Sequence, residues 1–313
     1  MGFKVTTPQN QINYGIDLLK GLLILGVIGI HAVNGDWRIN LNSYILHSFV
    51  VPVFLGLSGY LVNHHFIENS TLSQVFKKYF KRMLKPWLIA CLCYYTFDLI
   101  YGWTTFSISS LFRIIFLPSY HLWYVYAMFL YILCIWGLKK IHLKNSVIFI
   151  ISLFISLIWI LFFDFSYDWS NETLNLIFLK YKLHYFTFFI FGYSLNELEP
   201  QKDEILKKVV GWGAFTLSFY RITDYLQITQ TNYITTLDFY ILNFALILFL
   251  IPKFESIKFF DIEILEQQDS KVVLKRKWNK KGKIFWPIIT IGKYSLEIYL
   301  WHVMFQYIIY FFV

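Results

Sequence analysis

A lysine and a histidine frame an apolar run near the start of the chain, KGLLILGVIGIH at residues 20–31. In an α-helix this spacing brings Lys20 and His31 to within about 20° of one face, roughly 16 Å apart along the axis. Asp17 lies one turn before Lys20 on nearly the same face. The pattern predicts a stripe with an Asp–Lys pair at one end and a base for proton transfer at the other, although a histidine that only bridges helices is an alternative.

Further ionisable groups lie in two later apolar segments. In the last segment, Tyr299 and His302 share one helical stripe, while Glu297 falls on another face. His121 opens the segment HLWYV at residues 121–125. We interpret His121, Glu297, Tyr299 and His302 as candidates for substrate binding, with helix bridging as the alternative role.

The composition predicts that these groups lie in a membrane. The 313 residues are 57% hydrophobic and only 15% charged, whereas soluble domains carry about 25% charged residues. The apolar runs are long and lack the alternation of a β-barrel, so the spans should be helical. We therefore predict an all-α, polytopic transmembrane helical bundle of about nine to eleven helices, formed by residues 1–313 as a single membrane-embedded domain without a separate soluble domain. His31 would then lie near mid-membrane, where an ionisable side chain needs a cavity or a partner.

The basic residues predict the orientation. With the N-terminus in the cytoplasm, most of the 28 lysines and arginines fall on the cytoplasmic side, as the positive-inside rule requires. This explains the net charge of +9 without a nucleic-acid partner. We expect the loop at about 252–284 to be the one sizeable segment outside the membrane, and residues 106–117 to be interfacial or re-entrant. The predicted spans are 13–33, 44–63, 84–102, 121–138, 145–163, 181–197, 208–223, 234–251 and 285–312.

Four segments carry a family resemblance. IDLLKGLLILGVIGIH at 16–31 resembles the first helix of the acyltransferase-3 membrane family, in which Arg or Lys is followed after ten residues by His. VPVFLGLSGYLV at 51–62 is similar to the second-helix segment of that family, HLWYV to its H-L-W-F/Y segment, and IGKYSLEIYLWH at 291–302 to its closing helix. One such segment would be weak evidence in an aromatic-rich membrane protein, but four in the family's order are specific.

The resemblance implies an integral-membrane O-acyltransferase. Its donor would be acetyl-CoA or another acyl-CoA, and its acceptor a hydroxyl of a cell-surface glycan or of its lipid-linked precursor. It implies about ten helices, and a break near Lys293 or the segment 106–117 would reconcile that number with nine spans. The resemblance assigns catalytic roles to His31, which matches the family's essential histidine, and to Lys20 together with its neighbour Asp17. His31 would act as a general base or carry the acyl group itself, and the sequence leaves both open.

The resemblance also implies a site for the phosphates of the co-substrate in the stretch FKKYFKRMLKPW at 76–87. The family has an Arg-x-x-Arg pair there, whereas this chain has Tyr79 at the first position and Arg82 at the second. Lysine binds phosphate as a point charge without the bidentate fork of arginine. We therefore expect the patch Lys78, Lys81, Arg82 and Lys85 to bind acyl-CoA, with a basic stretch that only fixes membrane topology as the alternative.

The expected setting is the bacterial inner or plasma membrane, with a multi-pass chain in contact with membrane lipids. The expected partners are acyl-CoA and the glycan or lipid-linked saccharide acceptor, and a homo-oligomer is left open. We expect no metal and no nucleic acid. The alternative function is a glycan exporter of the same fold without acyl transfer, although no internal repeat or pair of broken helices supports it.

Overall fold

A computed structural model describes residues 13–32, 41–110, 121–159, 182–195, 211–213, 237–268 and 271–312. The protein is a helical membrane protein, and long apolar helices account for most of these residues. The helices are α1 Tyr14–Ala32, α2 Leu41–Tyr60, α3 His64–Asn69, α4 Leu72–Tyr79, α5 Lys85–Ile100, α6 Trp123–Lys140, α7 Asn145–Trp159, α8 Phe186–Ser194, α9 Leu237–Glu255, α10 Lys280–Lys293 and α11 Ser295–Phe312.

Helix α1 lies at the centre of the packing and contacts α2, α9, α10 and α11. Its closest neighbour is α10, where glycines allow the two backbones to touch. A Cβ atom at Gly292 would collide with the carbonyl of Asp17, and one at Gly21 would collide with the carbonyl of Ile288. The crossing therefore fixes Lys20 and the end of α10 at the same end of the bundle.

Helices α4 and α5 form one continuous rod through a π-helical turn at Phe80–Leu84. The rod begins with a capping box in which the side chain of Thr71 and that of Gln74 each accept a backbone N–H of the other residue. Pro86, at the start of α5, has no N–H to continue an α-helical ladder, which accounts for a turn of different pitch just before it. The π turn carries Arg82 at its centre.

The last apolar segment is two helices. Helix α10 ends at Lys293 and α11 begins at Ser295, because Tyr294 leaves the helical region with φ −102° and ψ 25°. The predicted break near Lys293 is confirmed. The rim of the bundle next to Lys293 is consequently formed by the end of one helix and the beginning of the next.

The segment between α9 and α10 contains structure that the sequence interpretation missed. Strands β1 Phe260–Gln268 and β2 Lys271–Trp278 form an antiparallel hairpin with a bulge between Ile264 and Glu266. Aromatic rings attach its base to α1, since the ring of Tyr14 lies 4.9 Å from that of Phe260 and 5.3 Å from that of Trp278. The expected loop at 252–284 is thus an extension of α9, a hairpin and the first turn of α10.

The predicted spans can be compared with the described helices. Within the described ranges, three helices are long and apolar enough to cross a bilayer: Tyr14–Ala32, Leu72–Ile100 and Leu237–Glu255. The apolar stretches Tyr44–Tyr60 of α2 and Asn145–Ile158 of α7 are shorter. The span predicted at 84–102 coincides with α5, Lys85–Ile100, and the continuous rod that contains it extends back to Leu72. Most of the span predicted at 208–223, and residues 111–117 of the expected interfacial segment, lie outside the described residues. The total of nine spans stays a prediction.

Candidate functional site

The site begins at the N-terminal half of α1 with an ion pair. The ammonium of Lys20 lies 2.7 Å from Oδ1 of Asp17, one turn apart as the spacing predicts. Asp17 is buried, with 8% of its surface exposed, whereas Lys20 is partly open to a cavity. Because a buried carboxylate without a partner is costly, Lys20 holds Asp17 in place while presenting its own charge to the cavity.

The cavity, of about 260 Å³, lies between α1, α2, the π turn, α6 and the α10–α11 junction. Its charged end is formed by Lys20, Arg82, Lys293 and Glu297, of which the last three are exposed. Its inner end is formed by the hydroxyl-bearing side chains of Ser58, Tyr124 and Tyr299. Between the two ends the walls are mostly apolar, with Leu57, Met83, Met128 and Ile132 among them.

Two buried tyrosines close the inner end. The hydroxyl groups of Tyr124 and Ser58 lie 2.8 Å apart, and the hydroxyl of Tyr124 also donates to the carbonyl of Phe54 at 3.3 Å. The hydroxyl of Tyr299 donates to the backbone carbonyl of His121. The two tyrosine rings are 5.2 Å apart between centroids, so they form a wall that we call the tyrosine floor, Tyr124 and Tyr299.

Three histidines from distant parts of the sequence meet behind the tyrosine floor. The ring centroids of His121 and His302 are 4.5 Å apart, and the ring of His31 lies 5.2 Å from that of His302 and 5.8 Å from that of His121. Tyr299 contacts this histidine cluster directly, with its ring 5.0 Å from the ring of His121. Within the described residues, no three His, Cys, Asp or Glu side chains are arranged to hold a metal ion.

The histidine cluster has ring nitrogens available for a ligand. Nδ1 of His302 lies 2.9 Å from the carbonyl oxygen of Tyr299, but Nε2 of His302 is buried with no partner among the described residues. The same holds for both ring nitrogens of His121, which is 3% exposed. A buried polar atom without a hydrogen bond costs about 1–3 kcal/mol, so a hydroxyl-bearing ligand would offset that cost.

His31 occupies the second-last position of α1 and is exposed. The structure therefore brings it to the end of the helix away from Asp17, and it does not line the cavity that Lys20 lines. The stripe on α1 thus has Lys20 at the cavity and His31 at the histidine cluster, and the catalytic roles expected of the two residues stay predictions. Tyr299 both lines the cavity and contacts the rings of His121 and His302, so it separates the cavity from the histidine cluster, with Tyr124 beside it.

The basic patch divides into residues that reach the cavity and residues that do not. Arg82 lines the cavity, and so does Tyr79 one turn before it. The ammonium of Lys78 instead lies 3.6 Å from the centroid of the Phe66 ring, a cation–π contact. Lys81 and Lys85 are exposed and lie outside the cavity lining.

The last segment delivers Glu297 as well as Tyr299 to the cavity, although helical spacing put them on different faces. Both lie in the first turns of α11, next to the break at Tyr294. The sequence interpretation assigned no role to Ser58, Tyr124 and Lys293. All three lie within segments that carry the family resemblance, which was a usable signal, although Lys293 was considered only as the place of a possible helix break.

The fold and this site define a class: a helical membrane protein with a charged cavity on one side of a tyrosine pair and a histidine cluster on the other. The chain belongs to the acyltransferase-3 family, whose acyltransferase domain it matches over residues 13–313. No curated protein and no solved structure matches the chain significantly. Family membership makes the protein a membrane acyltransferase at the family level.

Proposed function

We propose that the protein is an O-acyltransferase of the bacterial inner membrane that moves an acyl group, acetyl in the simplest case, from cytoplasmic acyl-CoA to a hydroxyl of a cell-surface glycan or of its lipid-linked precursor. The observation that carries the proposal is the separation of a cationic cavity from a cluster of three imidazoles by two tyrosines. Family membership supports acyl transfer as the reaction class.

The cavity suits the arm of the donor. At about 260 Å³ it lies below the range of about 300–1,000 Å³ that encloses drug-sized ligands, so it would accept a narrow chain and leave a nucleotide at the mouth. Its apolar walls suit the pantetheine arm, and its charged end suits the phosphates. The thioester would then approach Ser58 and the tyrosine floor.

The histidine cluster suits the acceptor. His121 and His302 would bind acceptor hydroxyls through their unpaired ring nitrogens. In the transfer step His31 takes the proton of the attacking hydroxyl, whose oxygen forms a bond to the thioester carbonyl carbon. The bond from carbon to sulfur breaks, and the CoA thiolate receives the proton back from the imidazolium, so that ester and free thiol are the products. In the alternative route, His31 first carries the acyl group and then passes it on.

Either route requires the thioester and His31 to meet across the tyrosine floor. The rings of Tyr124 and Tyr299 are held by hydrogen bonds to Ser58 and to the backbone. We propose that one of the two tyrosine rings turns aside when donor and acceptor are bound. Until then, the floor would keep water away from the thioester.

Purified protein in phospholipid nanodiscs, supplied with radiolabelled acetyl-CoA, tests the proposal. Wild type should bind the donor saturably, and His31→Ala should bind it equally well while acyl transfer falls by about 100-fold or more, the usual contribution of a general base. His65→Ala is a matched control, because His65 is an exposed histidine on α3, outside the site. Persistent glycan acylation in cells that express His31→Ala at normal levels would contradict the mechanism. Absence of donor binding together with glycan flux in vesicles would support an exporter.

A further inference from the structure

The charged end of the cavity draws its cations from three separate parts of the fold. Lys20 comes from α1, Arg82 from the π turn, and Lys293 from the last residue of α10. The close crossing of α1 and α10 at Gly21 and Gly292 holds two of these three elements together at the backbone level. The convergence is therefore a property of the core packing and not of one basic stretch of sequence.

The three cations differ in how far they are already neutralised. Lys20 is paired with Asp17 at 2.7 Å. Across the described part of the chain, neither Arg82 nor Lys293 has a carboxylate within 4 Å. The ammonium of Lys293 lies 5.5 Å from the centroid of the Tyr294 ring. Arg82 and Lys293 are thus the two charges available to an anionic ligand.

The position of Tyr79 makes Lys293 significant. Tyr79 and Arg82 are one turn apart and both line the cavity, but Tyr79 offers no positive charge. Lys293, at the end of α10, lines the same cavity and supplies the cation that position 79 lacks. Lys81 and Lys85, although close in sequence to Arg82, do not line it.

We propose that Lys293 and Arg82 together bind the phosphate groups of the acyl donor, with Lys293 replacing a base at position 79. This inference rests on the proposed function, since it takes CoA as the source of the phosphates. An arginine supplies a planar fork and a lysine a mobile point charge, a combination that suits two phosphates at different distances. The carboxylate of Glu297 lines the same cavity, so it offsets one of the two cations and lowers the net positive charge that a phosphate meets.

Binding of CoA and of pantetheine, which has no phosphate, to protein in phosphatidylcholine nanodiscs tests the assignment by calorimetry. Lys293→Ala should weaken CoA binding about 10-fold, the size expected for the loss of one charged hydrogen bond, and leave pantetheine binding unchanged. Lys293→Arg should retain the affinity for CoA. Lys144→Ala is the matched control and should bind CoA as wild type does, because Lys144 is exposed outside the cavity.

The double variant Tyr79→Arg/Lys293→Ala sharpens the test, because it returns a base to the position one turn before Arg82. It should recover most of the affinity that Lys293→Ala loses. Unchanged CoA binding in Lys293→Ala, or an equal loss for CoA and pantetheine, would overturn the assignment while leaving the proposed function intact. If wild type bound no CoA, the proposed function itself would fail.

An anionic lipid headgroup carries the same phosphate chemistry, so one arm of the experiment addresses it. Wild type and Lys293→Ala are placed in nanodiscs with and without phosphatidylglycerol, and bound lipid is measured after detergent extraction. Equal lipid retention by the two proteins supports the assignment to CoA. Lipid retention that depends on Lys293, with CoA binding that does not, would overturn it.

Discussion

The two ends of the site differ in the kind of polar group they carry and in how that group is satisfied. At the cavity mouth, Arg82, Lys293 and Glu297 are exposed, and the one buried charge, Asp17, has a partner at 2.7 Å. In the histidine cluster the groups are imidazoles, two of them buried with ring nitrogens that have no partner among the described residues. The first end is suited to hold permanent charge, and the second to exchange protons and hydrogen bonds with a neutral ligand.

On the proposed function, this difference would divide the labour, so that donor affinity depends on one end and transfer on the other. The donor-binding end can be disrupted at the close crossing of α1 and α10, which positions Lys20 and Lys293. Gly292→Leu should abolish CoA binding and destabilise the protein by about 3 kcal/mol or more, because its side chain would collide with the carbonyl of Asp17. Gly137→Leu on α6 is the matched control, since a Cβ there meets nothing within 4 Å. Thermal unfolding and CoA binding in nanodiscs measure both effects, and a Gly292→Leu protein of wild-type stability would refute the close crossing.

The second end can be tested with His302→Ala. We expect acyl transfer to fall about 10- to 100-fold through weaker acceptor binding, as the loss of one or two hydrogen bonds implies, while the Kd for CoA stays at the wild-type value. Steady-state kinetics with acceptor and donor varied in turn separate the two effects. A change in CoA affinity larger than the change in transfer would show that the ends are not independent.

The ion pair inside the first end gives a smaller effect on stability. Lys20→Met leaves the buried carboxylate of Asp17 without its cation and should destabilise the protein by about 1–3 kcal/mol. In the double variant Asp17→Asn/Lys20→Met no carboxylate remains unpaired, so most of the stability should return. Equal unfolding temperatures for Lys20→Met and wild type would mean that the pair contributes nothing to the fold.

The smallest effect is expected at the tyrosine floor. Tyr124→Phe removes the hydrogen bonds to Ser58 and Phe54 but keeps the ring, so it should cost about 1 kcal/mol and change transfer less than threefold. Tyr124→Ala should instead open the floor and increase hydrolysis of acetyl-CoA without acceptor. The ratio of hydrolysis to transfer measures the barrier, and an unchanged ratio in Tyr124→Ala would show that the ring does not separate the two ends.

Local patterns predicted much of the fold and the members of the site, but not their arrangement. The spacing of Asp17, Lys20 and His31 predicted their order along α1, and helix geometry alone sufficed for that. The contact of His31 with His121 and His302 depends on how α1, α6 and α11 pack, which no single segment encodes. Each of the three histidines was identified separately, because each lies in a segment that resembles the family.

Two misses have physical causes that can be traced to particular residues. The hairpin was interpreted as a basic loop, although Asp261, Ile262, Glu263 and Ile264 alternate polar and apolar side chains as a strand does. Lys293 was considered only as the place of a possible helix break, because a single lysine within an apolar segment carries no motif of its own. Only the helix break beside it reveals that it lines a cavity.

The most direct test of the division between the two ends is an experimental structure of the protein in nanodiscs with CoA bound. We predict phosphate density beside Arg82 and Lys293, the pantetheine arm along the apolar walls of the cavity, and the sulfur at the tyrosine floor on the side away from His31. Phosphates at the histidine cluster, or a sulfur at the cavity mouth beside Glu297, would contradict the account.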